Sequence, residues 1–459
     1  MLKSLIFGTI SAVTLGGAAD ADVSISNKPT QNMNCTAGVC TATAKKAVLN
    51  VNDLQTMLAA GDATVATGSL AKDIEIDQPL TWSSISRLTL DARRSVVVKK
   101  PVIVAGTGAL TVDWRGQGEL AIEPKGSIQF WDLGSSLIIH GHSYTLVGDL
   151  MTLAADVADK PKGLYALAKP YDAGSDGTYS SAVVRTDFAG TFEGLGNAIS
   201  NLTIRLAGQH SDAGLFKEIV SGSSIRDLAL LDVNFGIQTC VSRVGAVAAN
   251  NNGGVLLRLH ATGTIATECT AVVGGLVGAN QGPLSKSSTN MQIKIKMAGD
   301  AGGEQVGGLA AENWGTIDQS YSSTRVFGSH SWEVGGLVGY NGGGEVTNAY
   351  AVSPVQAGGG YSVGGLIGMH QYGSVSASYS TGPVVARKKT ACGGLIGYAY
   401  STVSQSYWDS DTSKCGGVGQ PLTDQQLKSG LPDGFDPNIW GQSPNINNGY
   451  PYLLANPPK

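Results

Sequence analysis

Three oxygen-bearing side chains near the C-terminus have the spacing of a small cation site. Asp409, Asp411 and Ser413 form a D-x-D-x-S sequence, which could place their oxygens around Ca²⁺. The glycine and the distal glutamate of a complete calcium-binding loop are missing, so the sequence favours a hydrogen-bonded turn that closes the last repeat. Calcium binding is the alternative, and no other cofactor is expected.

The six cysteines are the next residues whose spacing predicts chemistry. Their even number, and the lack of CxxC pairs or Cys/His sets at zinc spacing, favour structural disulfides over metal binding. Cys35 and Cys40 lie close together in a polar segment, which favours a local disulfide. The other candidates are Cys240 and Cys269, which are 29 residues apart, and Cys392 and Cys415, which are 23 apart.

Two further groups of side chains have a weaker chemical signal. His140 and His142 alternate along a predicted strand and would share one face, but no third metal ligand is near them in the sequence. A short basic run predicts a solvated sheet edge, with contact to an anionic glycan as the alternative. Its members are Arg93, Arg94, Lys99 and Lys100.

Glycan-cleaving enzymes built on β-helices need clustered carboxylates with a basic side chain beside them. The acidic residues of the repeats fall at different repeat positions, so no acidic pair is expected to stack between neighbouring turns. These residues are Asp227, Glu312, Asp318, Glu333 and Glu345. No G-x-S-x-G, HExxH or phosphate-loop sequence occurs. The sequence therefore favours a non-enzymatic protein, although solenoid turns can also assemble a site from distant loops.

Composition and charge set the broad class. The 459 residues include 63 glycines, 42% are hydrophobic and 14% are charged, which predicts a folded chain with a sizeable core. The net charge of −4 argues against nucleic-acid binding. A lysine, an apolar run and an A-x-A sequence predict a signal peptide over residues 1–21. No later run is long enough to span a membrane.

A repeat of about 29 residues organises the second half of the chain. Each copy holds a V-G-G-L-V-G-x-N-like sequence, and its apolar positions are short, β-branched and separated by turn residues, as in strands. The first glycine of each copy is expected where a side chain would clash or where φ is positive. Five of these glycines are Gly274, Gly307, Gly335, Gly364 and Gly393. Short strands bury a face only by stacking, which predicts a parallel β-solenoid.

Two features follow from the repeat alignment. One turn position carries asparagine in four copies, which predicts an amide ladder along the axis, with ligand contact as the alternative. These are Asn251, Asn280, Asn313 and Asn341. Cys240 and Cys269 each lie five residues before a repeat start, so stacking predicts a disulfide between neighbouring turns, with two free buried thiols as the alternative.

The remaining segments predict ends and irregular turns. A helix over residues 52–61, capped by Asn52, is expected to cover the open end of the solenoid. In the C-terminal tail, Thr423 and Gln426 predict a capping box, and Trp440, Tyr450 and Tyr452 are expected to dock on the last turn. The expected segments are a polar N-terminal stretch with the helix (22–70), irregular turns continuous with the repeats (71–148), a helix and loop insertion (149–187), the repeat solenoid (188–408) and a C-terminal cap (409–459).

The Gly-Leu-x-Gly core of these repeats resembles the GLUG-motif family. FAGTFEGLGNAISNLTI at 188–204, GLYALAKPYDA at 163–173 and SYWDSDTS at 406–413 resemble segments that accompany such repeats. The resemblance implies a right-handed parallel β-helix of the kind found in filamentous-haemagglutinin-like bacterial surface proteins. It implies secretion, surface exposure and adhesion, but no definite activity. The Asn-Pro-Asn-Gly export signature of two-partner-secreted haemagglutinins is missing.

We therefore expect an all-β, exported and non-enzymatic solenoid that serves adhesion or contacts with extracellular matrix or glycans. Its partners would be surface glycans or proteins of a host or matrix, with no nucleic acid and no membrane span. The alternatives are a polysaccharide lyase or hydrolase with its site near residues 159–182, and a purely structural envelope protein. The expected location is secreted or at the cell surface, with the periplasm as the alternative.

Overall fold

The computed structural model describes residues 22–207, 212–238, 242–268, 271–296, 304–328, 331–358, 361–387 and 392–458. The protein is all-β, 8% helical, and forms a parallel β-solenoid of about 12 turns with a spacing of about 29 residues. This confirms the predicted fold class. The predicted signal peptide, Cys240 and Cys269 lie outside the described residues.

The first solenoid begins at Asp22 and consists of three sheets, whose strands are parallel except for one hairpin. One sheet pairs Ala47–Asn50, Asp22–Ser26, Asp73–Ile76, Val96–Val98 and Leu120–Ile122 in this order. A second pairs Leu80–Trp82, Pro101–Val104 and Ser127–Phe130. The third contains the hairpin Met33–Thr36 and Val39–Ala42, then Ala63–Ala66, Arg87–Ala92, Ala109–Trp114 and Ser136–Ile139. The polar stretch before the first helix is thus part of the solenoid rather than a separate lead-in.

The second, repeat solenoid also has three sheets. The glycine sheet contains Ser242–Val244, Ala271–Gly274, Gln305–Gly307, Glu333–Gly335, Ser362–Gly364 and Cys392–Gly393. The asparagine sheet contains Phe216–Val220, Ala248–Asn252, Val277–Asn280, Ala310–Asn313, Val338–Asn341, Ile367–His370 and Ile396–Ala399. Within each of these sheets every strand pairs in parallel with its equivalents in the neighbouring turns, as stacked coils require.

The long sheet forms the third side of the repeat solenoid. Its first strands are His142–Val147, Leu164–Leu167, Tyr171–Asp172, Thr191–Glu193, Ala198–Ser200, Thr203–Leu206, Ser224–Ile237 and Val255–Thr267. It continues with Pro283–Ser285, Ser288–Ile295, Thr316–Asp318, Tyr321–Ser322, Arg325–Gly328, Glu345–Thr347, Tyr350–Ala351 and Val355–Ala357. The last turns add Ser374–Ser376, Tyr379–Ser380, Val384–Ala386, Thr402–Ser404, Tyr407–Asp409 and Gln420–Leu422. Its Tyr column pairs in register from turn to turn.

The repeat glycines form the tight corner between the glycine sheet and the asparagine sheet. A Cβ at Gly335 would overlap the carbonyl oxygen of Val338, and the four equivalent glycines have the same relation to the residue three positions later. The constraint is therefore a backbone contact rather than a left-handed conformation, since none of the five has a positive φ. A side chain here would force the corner open.

The two solenoids are not continuous, contrary to the expectation for residues 71–148. Ser136–Ile139 pairs antiparallel with His142–Val147, so the chain reverses at His140 and Gly141 before the second stack begins. The buried apolar residues accordingly divide into two cores, one from Val23 to Leu146 and one beginning at Val147. An antiparallel pair cannot belong to one uninterrupted stack of parallel turns.

Each solenoid has a ten-residue helix near its start. Helix α1 (Val51–Ala60) packs against the edge strand Leu80–Trp82, and its Gln55 Nε2 donates to the Thr81 carbonyl oxygen at 3.0 Å. Its N-cap is Asn50 rather than the predicted Asn52, because the Asn50 side chain accepts from the Asn52 N–H. Helix α2 (Leu150–Asp159) is capped by Asp149 and buries Leu150, Leu153 and Val157.

The C-terminal tail lies along the side of the repeat solenoid instead of ending on the last turn. It contains helix α3 (Asp424–Lys428), which has the predicted capping box, and an antiparallel pair of strands, Trp440–Gly441 and Tyr452–Leu453. Trp440 packs on Tyr350 and Tyr379 of earlier turns, and Asn456 Nδ2 donates to the Ser287 carbonyl oxygen at 3.0 Å. The expected docking of Trp440 on the last turn is therefore wrong. The tail covers the exposed Tyr column, which supplies the apolar surface it needs.

Candidate functional site

The outward positions of the asparagine sheet carry a cluster of exposed aromatic rings, which we call the aromatic strip: Trp314, Tyr340, Tyr372, Tyr398 and Tyr400. Register pairs Tyr340 with Met369, and Met369 with Tyr398, so these three side chains form one column. Trp314, Tyr372, Tyr398 and Tyr400 are 50%, 61%, 49% and 65% exposed. Clustered rings at this exposure are unusual, since a folded chain gains by burying them.

Local contacts hold the rings of the strip in place. The Trp314 ring lies over the Gly342–Gly343 turn, where a Cβ at Gly342 would come within 2.6 Å of the indole. Trp314 and Tyr340 meet edge to face with ring centroids 5.7 Å apart, and the Tyr398 and Tyr400 centroids are 4.7 Å apart. The Tyr340 hydroxyl donates to Gln371 Oε1. The strip is therefore ordered before any ligand binds, which lowers the entropic cost of binding.

The predicted asparagine ladder lies directly beneath the strip. Each side-chain amide donates to the Oδ1 of the next turn, at 2.8 Å from Asn251 to Asn280, 2.9 Å from Asn280 to Asn313 and 2.8 Å from Asn313 to Asn341. Asn341 Nδ2 lies 3.0 Å from His370 Nδ1, which extends the ladder by one turn. All five side chains are fully buried, so the ladder is structural and does not reach a ligand.

Three carboxylates border the strip where the glycine sheet meets the asparagine sheet. Glu312 lies in the Tyr340 column and is 3.6 Å from the Arg243 guanidinium. Burial raises the pKa of Glu333 to about 6 and that of Glu304 to about 7, with the Glu333 charge adding to the shift of Glu304. The Glu304 oxygens are buried and have no hydrogen-bond partner among the described residues. Near neutral pH this border is thus less negative than its sequence implies.

A second cluster of charged groups, which the sequence did not indicate, joins the two solenoids. Arg258 donates to both oxygens of Asp227, at 2.6 and 2.9 Å, and to Glu119 Oε2 of the first solenoid at 2.7 Å. Glu193 is buried beside Asp227, so the expectation that no acidic residues meet between neighbouring turns is wrong. Arg226 Nε lies 3.4 Å from Glu193 Oε1.

The charges of this junction are divided between its two buried carboxyl groups. Both Asp227 oxygens accept from Arg258, which keeps Asp227 ionised. Burial, and then the Asp227 charge, raise the pKa of Glu193, which holds the proton of the pair. The side chains of Asp227, Glu193 and Arg258 are only 2%, 6% and 12% exposed. The cluster is a closed ionic junction with little access for a substrate.

The predicted calcium ligands lie together in a hydrogen-bonded turn. Asp409 Oδ1 accepts from the Asp411 N–H at 2.9 Å, and Asp409 Oδ2 accepts from the Tyr450 hydroxyl at 2.9 Å. Ser413 Oγ accepts from the Cys415 N–H at 3.3 Å. These contacts are those of the closing turn that the sequence favoured. In the described ranges, no group of three or more His, Cys, Asp or Glu side chains is placed to hold a metal ion.

Two of the candidate disulfides are present, Cys35–Cys40 across the first hairpin and Cys392–Cys415 behind the last glycine corner. The two histidines do not share a strand face: His140 sits in the hairpin turn and stacks on Trp114 with centroids 4.5 Å apart, and His142 begins the next strand. In the basic run, Arg94 pairs with Asp73, and Lys99 lies 2.9 Å from Glu75. Most of that run therefore neutralises its own sheet.

Residues 330–353, which contain the Gly335 corner and Tyr340, match a known family, the GLUG motif. This chain carries the GLUG motif. Halomucin of Haloquadratum walsbyi is 33% identical over 124 residues, which are 26% of this chain and 1% of halomucin. The GLUG chain thus spans a very small part of that relative.

Two solved structures are similar to the GLUG chain at low sequence identity. A Bacteroides ovatus protein assigned as an immunoglobulin A1 protease is 15% identical, with a TM-score of 0.45, over 68% of this chain and 93% of its own. An IgA1 protease structure is 20% identical, with a TM-score of 0.43, over 59% of this chain and 21% of its own. Within the described part of the chain, none of the helices has the length and apolar composition of a membrane span.

The aromatic strip was missed although the GLUG repeat alignment contains the signal for it. Tyr340 and Tyr398 each lie five residues after a repeat glycine, Gly335 and Gly393. Trp314 and Tyr400 each lie seven residues after theirs. Comparing the outward positions of the copies, in addition to the inward apolar columns, would have placed these rings on one face.

Proposed function

We propose that the protein is an exported, non-enzymatic solenoid that binds surface glycans and serves adhesion. The observation that carries this proposal is the aromatic strip, an ordered row of exposed rings on one sheet. Export is supported by the predicted signal peptide and by the disulfides Cys35–Cys40 and Cys392–Cys415, which persist in oxidising compartments.

The geometry of the strip suits a chain of sugars. Turns of a solenoid repeat at about 4.8 Å, so Tyr340 and Tyr398, two turns apart, are separated by about 10 Å along the axis. The C–H face of a sugar ring is apolar and carries partial positive charge, which complements the negative face of an aromatic ring. Gln371 lies between the two tyrosines and offers an amide for sugar hydroxyls. Several weak contacts in a row add up by multivalency.

The test is binding of mature residues 22–459 to neutral polysaccharides, such as xylan, mannan and amylose, by affinity gel electrophoresis. We expect Trp314→Ala combined with Tyr398→Ala and Tyr400→Ala to weaken retardation by about tenfold or more, at about 1 kcal/mol per ring. Because the rings are exposed, the melting temperature should not change.

The matched control is the double variant Trp332→Ala and Tyr361→Ala. These two rings are also exposed and meet edge to face, 5.4 Å between centroids, but they lie outside the strip. The control should bind like the wild type. Equal loss in both variants, or binding unaffected by the strip substitutions, would contradict the proposal. Release of sugar products that is abolished by a single carboxylate substitution would support the lyase or hydrolase instead.

A further inference from the structure

The long sheet of the repeat solenoid carries an uneven distribution of charge on its outward side. Register aligns Arg205, Gly236, Ala266, Lys294, Phe327, Gln356 and Val385 in one column. Lys294, Lys296 and Arg325 are exposed around Phe327, and Arg205 and Arg387 are exposed towards the two ends of the sheet. We call these five cations the basic face. The chain as a whole has a net charge of −4, so this clustering is not a consequence of composition.

The central cations of this face lack carboxylate partners. Among the described residues, Lys294, Lys296 and Arg325 form no ion pair, and the neighbouring acidic residue, Glu268, forms none either. In the first solenoid, by contrast, Lys99 and Arg115 are paired. Unpaired like charges on adjacent turns repel one another, which costs stability unless an anion binds them.

These cations surround a shallow groove with mixed chemistry. Its lining includes Lys294, Lys296, Arg325, the half-buried Phe327, and the amides of Gln292 and Gln356. Ammonium and guanidinium groups suit carboxylate or sulfate groups, the amides suit hydroxyls, and the phenyl ring suits the apolar face of a sugar. A nucleic acid would need a row of stacking rings or a denser line of cations.

We propose that the basic face is a second binding surface, which takes acidic polysaccharides through their carboxylate or sulfate groups. The inference rests on the proposed glycan binding and extends it to a charged class of ligand on a different sheet. The strip and the groove lie on different sides of the solenoid, so the two surfaces can be inactivated independently.

The experiment measures binding of residues 22–459 to immobilised heparin and polygalacturonate, with dextran and duplex DNA beside them, at low and high salt. We expect Lys294→Gln combined with Lys296→Gln and Arg325→Gln to weaken binding to both acidic glycans by about tenfold or more at low salt. High salt should abolish wild-type binding because screening removes the attraction. Binding of neutral glycans to the aromatic strip should not change.

The control changes the net charge equally at another place: Lys28→Gln, Lys45→Gln and Lys46→Gln, three exposed lysines of the first solenoid. This variant should bind acidic glycans like the wild type. Equal losses in both variants, or no wild-type binding to either acidic glycan, would overturn the proposal. Duplex DNA bound as tightly as heparin, with the same loss in the groove variant, would overturn its assignment to glycans. Failure here with intact binding at the strip would leave the proposed function standing.

Discussion

In the first solenoid, charges on neighbouring turns are paired: Lys99 with Glu75, and Arg115 with Asp91. In the repeat solenoid, the outward positions hold exposed rings on the asparagine sheet and unpaired cations on the long sheet. Both regions are parallel three-sheet stacks with buried apolar columns. A shared fold therefore leaves the outward residues free to differ, and the surfaces suited to ligands are concentrated in the second solenoid.

The two solenoids also differ in the regularity of their turns. Register pairs Leu88 with Leu110 and Leu110 with Leu137 in the first solenoid, which are separations of 22 and 27 residues. In the second, Val338 pairs with Ile367 and Ile367 with Ile396, both 29 residues apart. A constant turn length keeps equivalent outward positions in one column, and this is what makes a continuous strip of rings geometrically available.

The largest expected effect is on the junction between the two solenoids. Arg258→Ala removes the cation that pairs with Asp227 and Glu119, and it leaves Asp227 buried without a partner. We expect a loss of about 3–5 kcal/mol in the free energy of unfolding. The control, Arg115→Ala, breaks an exposed pair within the first solenoid and should cost less than about 1 kcal/mol. Urea unfolding measures both, and equal losses would show that the junction does not join the solenoids.

The next effect concerns the predicted disulfide between Cys240 and Cys269. Ser242 and Ala271, each two residues after its cysteine, are register partners, which supports the pairing. Replacing both cysteines with serine should cost about 2–4 kcal/mol, and removing Cys35–Cys40 should cost less because it closes a shorter loop. Peptide mapping without reduction should find the cross-linked peptide; alkylatable thiols at both positions would contradict the prediction.

The glycine corner predicts an intermediate effect confined to the repeat solenoid. Gly335→Val should cost about 1–3 kcal/mol, because the new side chain would overlap the Val338 carbonyl oxygen. Gly61→Ala at the end of α1 meets no atom within 4 Å and should change stability by less than about 0.5 kcal/mol. Thermal unfolding compares the two variants. An unchanged melting temperature for Gly335→Val would count against the corner.

The smallest effect depends on pH and isolates one carboxyl group of the junction. The raised pKa of Glu193 means that the folded state binds a proton that the unfolded chain releases above its ordinary pKa of 4.5. The free energy of unfolding should therefore fall as pH rises from 4.5 toward the raised pKa. Glu193→Gln, which cannot titrate, should flatten that decline by about 1 kcal/mol or more. Parallel pH profiles of wild type and variant would refute this assignment of the proton.

The repeat by itself determined most of the second solenoid. Periodic β-branched positions, glycine corners and the asparagine column depend on local geometry repeated at a constant interval, so stacking follows from the pattern. The sequence could also have given the aromatic strip, because Tyr340 and Tyr398 occupy equivalent repeat positions.

Only the tertiary structure decided how the stacks meet and where the tail lies. The reversal at His140, the approach of Glu119 to Arg258 and the position of Trp440 on Tyr350 join residues that share no period. The same holds for the proton on Glu193, since its pKa depends on burial and on a neighbouring charge. Periodicity fixes which residues stack within a coil stack, whereas docking of one stack on another depends on the shape and charge of whole surfaces.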